Sequence, residues 1–215
     1  NSSAEDVQNW ILQKSGTFDN QAAQDAASTL QDWNNKGYMP EGVNAVDAST
    51  ALSRFCNGEG LFFPSGNWNL DTVAKALGDD VQFFAFPGAT SEDEPNVAAN
   101  AGAFYGIPVN AKNRDAAAAF LDYTQSAEAQ QIIVDNSGYL PKSSTLDLKA
   151  NSALQQSMFD AYADVLTSGH TSDFINNATA GMQSSGLIPN FQLLLDNSIT
   201  PQEFTKNVQA QYDKE

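Results

Sequence analysis

The chain has 215 residues, a length for one or two domains, and its 41% hydrophobic content is enough for a core, so disorder is excluded despite the charge. There are 26 acidic against 10 basic side chains, a net charge of −16, and no cluster of Lys and Arg that would grip phosphates, which argues against nucleic acid. No apolar run approaches the ~20 residues of a bilayer span, no basic amphipathic stretch suits a membrane surface, and one Cys56 with one His170 leaves no disulfide, no CxxC pair and little for a triad or a zinc site.

The charged fraction is only 17%, which goes with a surface of Asn, Gln, Ser and Thr of the kind common outside the cytoplasm. The start Asn1-Ser2-Ser3 carries neither a charged nor an apolar leader region. The expectation is a signal peptide already removed or never attached.

In chain order, the first helix is expected from Asn20 to Lys36. Asp19 would be its N-cap, Ala23, Ala26, Ala27, Leu30 and Trp33 its inner face, and Gly37 its stop. Asp47 reads as the cap of a second helix with Ala48, Ala51, Leu52 and Phe55 at helical spacing, closed by Gly58. Leu61–Phe63 reads as a short buried strand and 66–69 as a turn, with a short helix to Leu77 that stops at Gly78. Val81–Phe86 reads as a strand closed by Pro87-Gly88, and the acidic stretch 91–95 as a surface loop.

A third strand is expected from Ala103 to Val109. Helices follow over 113–125, with Ala117, Phe120, Leu121 and Thr124 inward, and over 126–136, with Gly138 as the stop. Tyr139-Leu140-Pro141 reads as extended, because a residue before proline avoids the α region. From Ala150 onward the chain reads as all helical. Its last helix has the clearest start: Thr200 as N-cap, Pro201 at the first position and Glu203 at the third form a capping box, with Phe204, Val208 and Tyr212 inward. The class is α/β. Three or four strands make a thin sheet for this length, and the expectation is that part of a larger structure is missing.

The run from Phe55 to Trp68, with Phe55, Gly58, Leu61-Phe62, Gly66 and Trp68 at the key places, resembles the F-x-x-G-x-x-A-M-x-x-x-G-x-W signature of family-1 extracellular solute-binding proteins. These are the maltose- and oligosaccharide-type receptors of ABC importers. Leu61-Phe62 replace the usual Ala-Met pair. Phe86-Pro87, then Ile107, Asn113, Ala117, Phe120-Leu121, Ser126, Glu128, Gln130, Gly138 and Pro141, and finally Ile199–Phe204, are similar to later stretches of the same family. The resemblance covers nearly the whole chain and matches the C-terminal half of such receptors.

It implies a periplasmic-binding-protein-like (type II) fragment, a helix-rich lobe 2 with a returning piece of lobe 1. By analogy 1–86 is the first part of lobe 2, 87–140 belongs to lobe 1 with crossings near 86–90 and 138–142, and 141–215 completes lobe 2. The implied partners are a small-molecule sugar, the membrane permease subunits of an ABC importer and the missing N-terminal lobe of the same protein. The implied place is extracellular or periplasmic, as a membrane-anchored lipoprotein in the full-length form. No cofactor, metal or nucleic acid is implied.

Trp68 follows a glycine turn after an expected strand, where ligands of open α/β sheets bind. An indole face stacks on a pyranose with a large buried area and little entropy loss, and the family has a sugar-stacking aromatic at the matching place. A core Trp sealing the strand end would look the same. Asn67 and Asn69 flank it with amides that both donate and accept, and turn-formers would look alike. Asp47 suits a sugar hydroxyl, although an N-cap role already accounts for it. Asn100, with Ala101-Gly102, falls where the family has a Gly-rich, cleft-facing segment, and a flexible loop would look the same; Gln183 lies in the stretch 176–184 where it has cleft residues from the C-terminal helices. Asp79-Asp80 and Glu92-Asp93-Glu94 read as solvated acidic surface, since no D-x-D-x-D-G run shapes a calcium loop, and His170 reads as a loop residue.

The expected function is therefore carbohydrate binding, of an oligosaccharide, for an ABC transporter by closure of two lobes, without covalent chemistry. The alternatives are a secreted glycoside-active enzyme fragment, which needs a spaced carboxylate pair that the sequence does not present, and a sensor module that reuses the fold.

Overall fold

A computed structural model describes residues 2–88, 95–99, 105–137, 147–168 and 170–215. The regular elements are α1 (Ala4–Ile11), α2 (Gln21–Asn35), α3 (Ala48–Cys56), α4 (Leu70–Leu77), β1 (Val97–Ala98), α5 (Arg114–Tyr123), α6 (Ala127–Ser137), α7 (Ala153–Ser168), β2 (Thr171–Ser172), α8 (Ile188–Leu195) and α9 (Pro201–Tyr212). A π-helical turn, Met182–Leu187, leads directly into α8. The chain folds into two compact units.

The first unit comprises Asn1–Val46, Pro87–Asn100 and Ser168–Glu215. Its core gathers Trp10 and Ile11 of α1, Ala27 of α2, Met182 and Leu187 of the π turn, Leu194 of α8, and Phe204 and Val208 of α9. The capping box of α9 forms as the sequence predicts: Thr200 Oγ1 accepts from the Glu203 backbone N–H at 3.2 Å, and a Glu203 carboxylate oxygen accepts from the Thr200 N–H at 2.8 Å. Residues 201–212 thereby enter the helix at an angle that buries Phe204 and Val208. A second capping box, Ser3 with Asp6, starts α1 and went unread in the sequence.

The cap of α2 is Asn20, whose side-chain oxygen accepts from the Ala23 N–H at 3.0 Å. It is not Asp19, whose carboxylate instead accepts from Gln24 Nε2 at 3.1 Å and Thr205 Oγ1 at 2.9 Å. The two candidates differ by one residue, and Asp19 is drawn off by a hydroxyl 186 residues away in sequence. The small sheet of this unit is a parallel pair, Val97 beside Thr171 and Ala98 beside Ser172. The expectation of helix alone after Ala150 did not include β2.

The second unit comprises Asp47–Phe86 and Ala101–Thr167. Its core is Leu70 and Val73 of α4 against Leu154 and Met158 of α7, with Leu52, Phe55, Leu77, Val81 and Phe83 packed around them. Asp47 caps α3 as expected, accepting from the Thr50 N–H at 2.7 Å. Gly78 ends α4 with a positive φ of 56°, a conformation that costs glycine little.

Two expected strands do not form among the described residues. Leu61 and Phe62 are 88% and 74% exposed, so 61–63 is not a buried strand. Residues 81–86 keep a strand's alternation, with Val81, Phe83 and Ala85 half-buried and Gln82, Phe84 and Phe86 exposed, yet belong to no sheet. The physical reason is that a strand exists through ladder hydrogen bonds to a neighbour. Among the described residues no backbone ladder joins 61–63 or 81–85 to a neighbour, although the Phe62 and Phe84 rings meet edge-on with centroids 6.2 Å apart, and the Phe83 N–H goes to Ser157 Oγ at 2.9 Å.

The third expected strand, 103–109, is not found over 105–109, where Pro108 has no N–H to pair, and 103–104 lie outside the described residues. Phe120, expected inward on α5, is mostly exposed, and α5 has no buried residue. The expectations for 89–94, 100–102 and 138–141 also lie outside the described residues.

Candidate functional site

The second unit carries the aromatic candidate. A short 3₁₀ turn, Asn67–Asn69, follows an irregular stretch that ends at the extended Gly66, and runs straight into α4. Asn67, Trp68 and Asn69 therefore share one turn. The first residues of α4 anchor it, because Leu70 and Val73 are buried. The turn is closed by the Asn69 N–H donating to the Gly66 carbonyl at 3.3 Å and by Asn69 Nδ2 donating to Ser65 Oγ at 2.9 Å.

Trp68 is 52% exposed, so it is not the fully enclosed core Trp that the sequence also allowed. Asn67 and Asn69 are half-buried beside it. Asn69 spends one donor on Ser65 and keeps its amide oxygen for other donors. An indole face can stack on an apolar ring, and flanking amides can donate and accept at its rim.

Asp47 lies in the same unit, and the α3 cap takes one of its two carboxylate oxygens, Oδ1. It accepts from the Thr50 N–H and from Ser49 Oγ at 2.8 Å, and the backbone N–H of Thr50 is the main reason its pKa lies below the ordinary carboxylate value. Gln183 sits exposed on the π-helical turn of the first unit. Asn100 lies outside the described residues. Among the described residues, no group of three or more His, Cys, Asp and Glu is placed to hold a metal ion, and no helix is long and apolar enough to cross a membrane.

The first unit also has an open cleft of 560 Å³ that includes Asn34, Met39, Glu41, Asn44 and Asp196 in its lining. None of the predicted site residues lines it. Its amides are already used structurally: Asn34 Nδ2 donates to the Leu195 carbonyl at 2.8 Å and Asn44 Nδ2 to the Gln192 carbonyl at 2.9 Å. The residue that sequence reasoning missed is Gly66. A Cβ there would fall within the benzo ring's contact distance of Trp68, so the indole occupies space that only glycine leaves free. In the sequence Gly66 signals only a turn before Trp68; the atom that fills its missing Cβ shows only in the three-dimensional structure.

No curated protein sequence matches the chain. A solved structure described as a chitin oligosaccharide binding protein matches with a TM-score of 0.80 and 18% identity, over 98% of this chain and 53% of that one. The likeness is one of fold, and the chain spans about half the length of that structure. The family model of the bacterial extracellular solute-binding proteins matches residues 2–159. With close to three quarters of its length inside that model, the chain belongs to the bacterial extracellular solute-binding proteins.

Proposed function

We propose that this chain is part of an oligosaccharide-binding receptor that hands its sugar to the membrane permease subunits of an ABC importer. The observation that carries the reading is the half-exposed indole of Trp68 held on a turn between two amides. Asn67 and Asn69 bond ring hydroxyls, Asp47 offers the carboxylate oxygen that its α3 cap does not use, and Asn100 and Gln183 are further contacts by family position. The relative of known structure binds chitin oligosaccharide by its description, which makes N-acetylated sugars the first class to try.

The remaining lobe of the receptor is the N-terminal half of the same protein. Two observations support this: the solved relative is about twice as long, and 61–63 and 81–85, which the sequence marks as strands, have no ladder partner among the described residues. Lobe boundaries at 1–86, 87–140 and 141–215 are the family's arrangement carried to this chain. The change of unit between Phe86 and Pro87 supports the first crossing, whereas the change at Val46–Asp47 and the grouping of 101–167 with 47–86 do not speak for the remaining boundaries. Binding occurs by closure of the two lobes, without catalysis, outside the cytoplasm, on a protein anchored as a lipoprotein.

The test is calorimetry of the full-length protein against acetylated chitin oligosaccharides and malto-oligosaccharides, with a hydrolysis assay on the same samples. Reversible, saturable binding without cleavage is expected, and Trp68→Ala should weaken it by tenfold or more. Cleavage products would favour the glycosidase alternative. Tight binding that survives Trp68→Ala would remove the site.

A further inference from the structure

Gly66 has φ −123° and ψ −179°, an extended conformation that any residue adopts. Nothing in its backbone calls for glycine. The demand is spatial: a Cβ on Gly66 would stand 2.7 Å from Cε3 of Trp68 and closer still to Cζ3 and Cη2, far inside any tolerated contact.

The backbone on both sides is poorly placed to give way. The Asn69 N–H closes onto the Gly66 carbonyl, Asn69 Nδ2 holds Ser65 Oγ, and Leu70 and Val73 pin the start of α4 in the core. A side chain at 66 would therefore move the ring rather than the turn. Trp68 would have to turn off its rotamer or move to another staggered position.

We propose that Gly66 is a positioning residue for Trp68: its missing side chain is a slot that seats the benzo ring and fixes the angle at which the rest of the indole meets a sugar. This rests on Trp68 as the stacking platform, and it adds a specificity determinant one step removed from the ligand. The slot holds one side of the ring while about half of the side chain's surface stays open. Any side chain at 66 changes the platform's tilt without touching the sugar.

The experiment compares the parent chain with Gly66→Ala, Trp68→Ala and the double variant. In the ligand-free chain, the indole N–H resonance of Trp68, assigned by its loss in Trp68→Phe, should shift in Gly66→Ala while those of Trp10 and Trp33 stay in place. Thermal unfolding supplies the cycle: Gly66→Ala should lower the midpoint in the parent and have no effect once Trp68 is alanine. If Gly66→Ala fails to fold alone, the double variant should fold.

In the full-length protein titrated with triacetylchitotriose, Gly66→Ala should weaken binding by about fivefold, the worth of an aromatic contact. It should have no further effect in the Trp68→Ala background. An unmoved Trp68 resonance, or a Gly66→Ala penalty that persists without the indole, overturns the proposal. Binding that is weakened by Trp68→Ala but untouched by Gly66→Ala overturns it while leaving the platform standing. Binding indifferent to Trp68→Ala removes the platform, and with it any role of Gly66 in recognition.

Discussion

The indole N–H of Trp10 donates to Oε1 of Gln209 at 3.1 Å, tying the first helix to the last across 199 residues of sequence. The same oxygen accepts from Thr17 Oγ1 at 3.1 Å and from the Phe18 backbone N–H at 2.6 Å. One turn further along α9, the Tyr212 ring stacks on Trp10 with centroids 4.7 Å apart, and its hydroxyl donates to the Trp10 carbonyl at 2.8 Å. One amide oxygen thus satisfies three donors around an aromatic core.

Gln209→Met keeps the stem and removes the acceptor. Trp10 is 4% exposed, so its N–H cannot turn to water without opening the core. A buried donor left unpaired costs about 1–3 kcal/mol, and we expect a loss of about 2 kcal/mol in the first unit. Urea unfolding followed by tryptophan fluorescence measures it. A change under about 0.5 kcal/mol, the ordinary surface value, would show that the three donors find other partners.

The α9 cap predicts a pH dependence. Hydrogen bonds from Thr200, chiefly its backbone N–H, hold the Glu203 carboxyl below its ordinary pKa. A carboxyl depressed in the folded state stabilises the fold fully above its unfolded pKa and loses that contribution as pH falls through the folded one. The advantage over Glu203→Gln should be constant above about pH 5 and shrink below about pH 4. Thermal midpoints of both proteins across pH 3–7 check it, and parallel curves would rule out Glu203 as the titrating group.

Local chemistry made the capped helices legible. Thr200-Pro201 with Glu203, and Asp47 before Ala48, are signals complete within four residues, and the structure keeps both. Long-range chemistry was not legible: Asp19 lost the α2 cap to Asn20 because Thr205 lies across from it, and no local window contains that hydroxyl. Residues 81–86 show a strand's alternation of burial without becoming a strand, because that depends on a neighbour the sequence window does not supply. At the candidate site, the turn 66–69 and its Trp were visible from residue type. The slot at Gly66 was not, since only coordinates show which atom fills the space of a missing Cβ.

The second unit has its own buried amide. Gln155 is fully buried on α7, where Nε2 donates to the Val134 carbonyl of α6 at 2.8 Å and Oε1 accepts from the Asn151 N–H at 2.8 Å. Gln155→Ala leaves a buried carbonyl and an amide N–H unpaired and opens a cavity, for a cost of about 2–4 kcal/mol. Faster hydrogen exchange in α6 and α7, with the first unit unchanged, is the expected pattern. Unchanged exchange in α6 would mean that water replaces the side chain.

Affinity follows from how a receptor closes. On the two-lobed reading each lobe supplies part of the contacts, and desolvation comes when the cleft shuts. A sugar on one open face keeps most of its water, so hydroxyl bonds to Asn67 and Asn69 replace bonds to solvent with little net gain. Stacking on Trp68 contributes about 0.5–1.5 kcal/mol beyond its buried area, against an association cost of at least ~4 kcal/mol. This 215-residue chain by itself should therefore bind the cognate oligosaccharide no more tightly than about 1 mM, while the full-length protein binds at about 1 μM or tighter, a difference of roughly 4 kcal/mol. Titration of both proteins with the same sugar decides it. Equal affinities would put the whole binding site within these residues, and closure of two lobes would no longer be needed to explain recognition.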